Sequence, residues 1–190
     1  MGIITIYNIM ISYLRLLTHP QYKVRIINVL FEAIYEKKLY VIDYLLMKNV
    51  DPNKEMQLVN SVNCKTPLML ASSLGYTDII KLLIRYGANV NKRSNFMKKT
   101  ALHMAVEYGK YEAVKILLEY GADVNSMDID MYTPMHLTLL CNPSNTNMVS
   151  ILLKYGADIN IKDKNNESSI DVAFKKYISD DIKNIFKSLI

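Results

Sequence analysis

The chain has 190 residues, 51% of them apolar, which suits one elongated domain with a continuous core. Its net charge of +5 raises nucleic acid as a partner, yet the 23 Lys and Arg residues are mostly scattered, as on solvated helix faces. Two cysteines, Cys64 and Cys141, lie far apart without metal-ligand spacing, so thiols in a reducing compartment are favoured over a disulfide-stapled secreted scaffold.

The first predicted element is an apolar run from Ile3 to Leu17. It is too short to span a bilayer, Arg15 interrupts it, and no basic region precedes it. No small-residue cleavage site follows, and Ile6 stands where a myristoylation start wants Ser or Thr. The run predicts a helix that covers the open end of the domain behind it, and residues 1–23 are assigned to this N-terminal helical cap.

From residue 24 onward the chain repeats itself. The phrase Leu82-Leu83-Ile84-Arg85-Tyr86-Gly87-Ala88-Asn89-Val90-Asn91 returns at Ile116 to Asn125 and at Ile151 to Asn160, with glycines 34 and 35 residues apart. A second phrase keeps the same beat: Thr66-Pro67-Leu68-Met69, Thr100-Ala101-Leu102-His103, Thr133-Pro134-Met135-His136. A period in this range belongs to a stacked solenoid, in which each unit buries its apolar face against its neighbours. Thr before a first turn caps a helix, Pro is tolerated there, and Gly ends a helix in a left-handed conformation.

Worn copies flank the three clear ones. Setting Asn49 against the glycine aligns Leu30 with Leu68, Ala33 with Ala71 and Leu45 with Leu83, and Asn tolerates the left-handed helix end. At the other end Ser168-Ser169-Ile170-Asp171 sits 35 residues beyond Thr133, and Asp180-Asp181-Ile182 opens a last helix containing Ile185, Phe186 and Leu189. The first connection, Asn49 to Thr66, is five residues longer than the 12-residue step from Gly121 to Thr133. The fourth unit has two extra residues around Cys141 to Asn147, which lengthen the loop between its helices.

Both phrases are signatures of the ankyrin repeat, and the chain resembles that family over residues 24–190. The resemblance implies an all-α solenoid, an ankyrin-repeat stack of helix-turn-helix pairs joined by β-hairpin loops. About five repeats are implied, near 24–60, 61–94, 95–127, 128–162 and 163–190. It implies a structural role for His103 and His136, bonding backbone groups between adjacent repeats. Asn53, Asn91, Asn125 and Asn160 are implied to brace the hairpins, and such asparagines can be hydroxylated in the family. The hairpin tips, where the family has glycine, carry Cys64, Lys98, Met131 and Asn166, of which only Asn166 suits a positive φ easily.

The chain shows no phosphate-cradling glycine loop, Cys/His ligand set or nucleophile elbow, so no catalytic, metal or cofactor site is expected. Asp128-Ile129-Asp130 falls where the hairpin normally carries Asp, a place that needs no ion. Asn166-Glu167-Ser168 is read as a chance sequon. The basic hairpin Lys92, Arg93, Lys98 and Lys99 contains no acid; four charges give weak, salt-sensitive nucleic-acid binding, and an acidic protein segment is the better partner.

Family contacts usually come from hairpin tips and the inner helix before its terminal glycine. Here those positions are Val62, Asn63, Lys65, Ser73 and Leu74; Phe96, Met97, Lys99, Glu107 and Tyr108; Ile129, Asp130, Tyr132, Leu140 and Cys141; and Lys164, Asn165 and Glu167. Among them Leu74, Phe96, Met97, Tyr108, Ile129, Tyr132 and Leu140 are expected to form an apolar ridge ringed by charge, with Lys99 and Asp130 on its rim. In the competing arrangement Phe96 and Met97 fold back over their own hairpin.

Ile, Asn, Lys and Tyr supply 72 of the 190 residues, and Lys outnumbers Arg 19 to 4, the mark of an AT-rich genome. Ankyrin proteins of this character look most like those of poxviruses. The resemblance implies a cytoplasmic, monomeric host-range or immune-modulating factor that sequesters a host protein, an IκB-like inhibitor being one version. The alternatives are a substrate-recruiting adaptor for a ubiquitin ligase and a structural scaffold. The chain stops at Ile190 directly after its last helix, which leaves no room for the F-box-like segment of many poxviral members. No membrane and no specific nucleic acid is expected as a partner.

Overall fold

Threonine sets where three helices of this chain begin. In the computed structural model, which describes residues 23–56, 64–175 and 178–189, Thr66, Thr100 and Thr133 are extended. Their hydroxyls accept the N–H of Met69, His103 and His136 at 3.2, 3.4 and 3.4 Å. Each satisfies a donor that the first helical turn leaves unpaired. Ten helices are present among the described residues. They are α1 (Lys23–Tyr35), α2 (Leu39–Met47), α3 (Pro67–Leu74), α4 (Thr77–Arg85), α5 (Ala101–Glu107), α6 (Tyr111–Glu119), α7 (Pro134–Cys141), α8 (Thr146–Lys154), α9 (Ser169–Lys175) and α10 (Asp180–Lys187).

They pair as five hairpins. Odd-numbered helices pack on one another in an inner layer, even-numbered helices in an outer one, and each helix touches its own partner and its equivalents in adjacent repeats. Leu30, Leu68, Leu102 and Met135 of the inner layer and Ile42, Leu83, Leu117 and Leu152 of the outer layer are wholly buried. One apolar cluster therefore runs from Ile27 to Phe186, an extended core without a common centre.

The outer helices end alike. Ala88, Ala122 and Ala157 donate back to Leu83, Leu117 and Leu152 at 3.0, 2.9 and 3.0 Å, while Gly87, Gly121 and Gly156 turn left-handed with φ of 86°, 81° and 85°. Asn49 takes the same turn with φ 60°, and Val50 donates to Leu45 at 3.2 Å, so Asn serves where Gly is missing. Lys98 and Met131 also sit left-handed, at φ 55° and 62°, as does Asn166 at 63°. The doubt attached to the first two tips is thereby resolved. Turn bonds from Lys98 N to the Ser94 carbonyl and from Met131 N to the Asp128 carbonyl, both 3.1 Å, hold a conformation that such side chains otherwise resist.

The loops between repeats carry isolated antiparallel bridges, Met56 with Lys65 and Lys162 with Ser168. The longer loop of the fourth repeat acts as a clamp. The Asn142 amide donates to the Val106 carbonyl of the third repeat at 3.1 Å, and the Pro143 carbonyl accepts from Ser179 of the fifth at 3.1 Å. Helix α10 is capped by Ser179 and ends at Lys187, so Leu189 lies beyond it and is exposed, a correction to the helix read from the sequence. The N-terminal cap and the contact positions Val62 and Asn63 fall outside the described residues. Among the described residues no helix is long and apolar enough to cross a membrane.

Candidate protein-binding face

Two ladders of side-chain bonds bring the loops into a row. Along the outer helix ends, Asn53, Asn91 and Asn125 each donate to the carbonyl of the next glycine, Gly87, Gly121 and Gly156, at 2.9, 2.9 and 3.0 Å. Their amide oxygens accept from Asn89, Asp123 and Asp158 at 2.7 to 2.8 Å. Among the described residues Asn160 instead bonds Asp158 within its own loop.

The inner ladder uses histidine. Nδ1 of His103 accepts the Thr100 N–H at 3.1 Å, so Nε2 carries the proton and donates to the Tyr132 carbonyl, 3.1 Å away in the next repeat. His136 repeats this with Thr133 at 3.2 Å and the Glu167 carbonyl at 3.2 Å. Burial lowers both imidazole pKa values against the opposing pull of those carbonyls and of nearby acids, which keeps the rings neutral. At the same register Asp171 closes a cap with Ser168 instead. Those Ser168 bonds depress its carboxyl pKa.

The tips themselves are joined edge to edge. Ile129 N donates to the Met97 carbonyl at 2.9 Å and Lys164 N to the Asp130 carbonyl at 3.2 Å. Asp128 commits its Oδ1 to the N–H groups of Asp130 and Tyr132 at 2.9 and 3.0 Å, and Asp163 does the same for Asn165 and Glu167. These carboxylates are spent on turn geometry.

On this frame Phe96, Tyr108, Ile129 and Met131 stand exposed, at 53%, 52%, 43% and 39%. The rest of the expected ridge is less available. Leu74, Tyr132 and Leu140 pack against the core, the Tyr132 ring 5.9 Å from His136, and Ser73 is buried with its hydroxyl donating to Leu70. Met97 is half-buried and lines a cavity, while Phe96 is exposed, so the competing arrangement in which both fold back does not hold for Phe96. Met131 was noted in the sequence for its backbone alone; hydrophobicity at a loop tip was the signal for its exposure.

The basic hairpin is also changed by its surroundings. Lys99 pairs with Glu107 at 2.8 Å and is largely buried. The Arg93 guanidinium donates to the carbonyls of Met127 and Lys98 at 2.6 and 3.3 Å, acting as a brace between loops. Glu55 accepts from Asn95 N at 3.1 Å. Burial raises its carboxyl pKa, while that bond and the charges of Lys92 and Lys98 pull it down. The patch that lacks acids in sequence therefore has two acids beside it, Glu107 from its own repeat and Glu55 brought by stacking. Asp130 faces Lys164 at 3.2 Å, an exposed pair of the sort that contributes little.

A family model for ankyrin repeats in three copies matches residues 30–128, and one for a single ankyrin repeat matches 130–164. The chain belongs to the ankyrin-repeat family. Ankyrin repeats mediate binding of protein partners and are generally not enzymes. The chain is also 37% identical over 60 residues to an ankyrin repeat protein of Fowlpox virus (strain NVSL). That match covers 32% of this chain and 8% of the viral protein, so the chain spans a small part of that relative's length.

Proposed function

We propose that this ankyrin-repeat chain captures a host protein through its inner helices and loop tips, as a viral host-range or immune-modulating factor. The observation that carries the reading is the exposure of Phe96, Ile129 and Met131 on loops that backbone bonds lock together, with Tyr108 exposed at the end of α5. Exposed apolar groups on a preorganised frame lose little entropy on binding and make effective interface anchors. The viral setting is supported by the fowlpox match and by the Ile, Asn, Lys and Tyr bias. Sequestration of a Rel-type factor is one version of the activity.

The test is affinity purification from host cells with the parent and a Phe96→Ala/Ile129→Ala variant, scored beside their melting temperatures. Partner capture is expected to fall sharply with stability unchanged. Capture that survives both substitutions contradicts the reading. Recovery of cullin-ligase subunits from the parent would favour the adaptor alternative, and a partner whose signalling reporter stays silent would favour a scaffold.

A further inference from the structure

Histidine bridges the inner layer at two joints, and at the joint before them the same position is Met69. A thioether accepts the Thr66 N–H at 3.4 Å, as His103 does for Thr100, but it has no second polar atom to donate to the next loop. Between the second and third repeats the structure has a cavity of about 160 Å³ instead. Met69, Met97 and Met104 line it, and Lys65, Lys99 and Tyr108 also border it.

The charges at this opening do not balance. Lys99 is taken by Glu107, while Lys65 holds its ammonium 5.5 Å over the Tyr108 ring, and among the described residues no carboxylate forms an ion pair with it. Burial lowers the Lys65 pKa, with Glu107 opposing and Lys99 reinforcing. A half-buried cation stacked on an aromatic face favours an incoming carboxylate, because that group restores the solvation that burial removed. An incoming cation would meet two ammonium groups against one acid. Three flexible thioethers adapt their shape to an aliphatic side chain better than a branched wall would.

We propose that this cavity is the anchor pocket of the binding face, and that it takes an aliphatic side chain of the captured protein beside an Asp or Glu that pairs with Lys65. The inference rests on the binding-face reading above and places the acid-recognising group at Lys65, in the groove, away from the exposed hairpin tip.

A random peptide library displayed on phage, panned on the full chain, tests it. Enriched peptides are expected to carry Asp or Glu adjacent to Leu, Ile or Met. Lys65→Glu should weaken them by about tenfold or more, the loss of one charged hydrogen bond or ion pair. Lys98→Glu, at the exposed tip, should leave them bound. Met69→His offers a second route: a histidine there would extend toward the Lys99 carbonyl, close the cavity and abolish peptide binding while the melting temperature holds or rises. The proposal is overturned by a library yielding no peptide sensitive to Lys65→Glu, or by acidic peptides lost with Lys98→Glu instead. Self-association that Lys65→Glu abolishes would seat a second copy of this chain in the pocket and overturns it too. If the peptides fail while Phe96→Ala/Ile129→Ala still loses the cellular partner, the binding face stands and the pocket alone is wrong.

Discussion

The joint between the second and third repeats and the joint between the third and fourth share one construction, but in the inner ladder one carries Met69 where the other carries His103. Both carry the asparagine brace, Asn91 to Gly121 at 2.9 Å and Asn125 to Gly156 at 3.0 Å, and both bury leucine in the outer layer. Only the later joint has the histidine, which couples a helix cap to the next loop through a neutral, doubly bonded ring. With Met69 in that place the helix cap survives and the bridge does not. The asparagine brace thus spans the first three joints of the stack. In the inner layer the histidine bridge is missing at the joint that carries Met69, and a cavity stands there.

The comparison is sharpened first in the core, where the joints should not differ. Leu83→Ala and Leu117→Ala remove wholly buried side chains at the two joints, and each should cost about 2–5 kcal/mol in denaturant unfolding. An unequal pair would show that the joints differ beyond the histidine. Next, His103→Met turns the later joint into a copy of the earlier one. It removes one of two donors to the Tyr132 carbonyl, which keeps the Asp128 N–H at 3.0 Å, and should cost about 1–1.5 kcal/mol.

Acid should act in the same place. Because folding depresses the pKa of His103 and His136, the unfolded chain binds more protons below about 6.5, the ordinary imidazole value. Stability is fully present above that pH and falls as pH drops toward the folded values. His103→Met should flatten that fall in a pH series of melts; an unchanged slope would place the buried neutral ring elsewhere. The smallest contrast lies in the brace. Asn125→Ala should cost about 1–2 kcal/mol because two bonds reach the next repeat, whereas Asn160→Ala should stay within about 0.5 kcal/mol.

Much of this stack is legible in the sequence because its determinants are local. Thr100 and His103 are three residues apart, and Gly121 follows directly on the helix it ends, so period and motif suffice to place them. The left-handed tips at Lys98 and Met131 were harder, since turn bonds to the Ser94 and Asp128 carbonyls override the preference of the residue itself. The charge pattern was least legible. Arg93 reaches Met127 and Glu55 reaches Asn95 across 34 and 40 residues, contacts that exist only once loops are stacked. Likewise Leu74, Tyr132 and Leu140 read as ridge positions by register, but packing between repeats draws them toward the core.

The most direct measurement is hydrogen–deuterium exchange of the chain alone and in complex with the protein it captures. Protection on binding is expected in the loop segments 94–99 and 128–132 and at the end of α5 near Tyr108, with the outer helix α6 unchanged. Protection confined to α4, α6 and α8 would put the partner on the opposite face and contradict capture by the inner helices and tips.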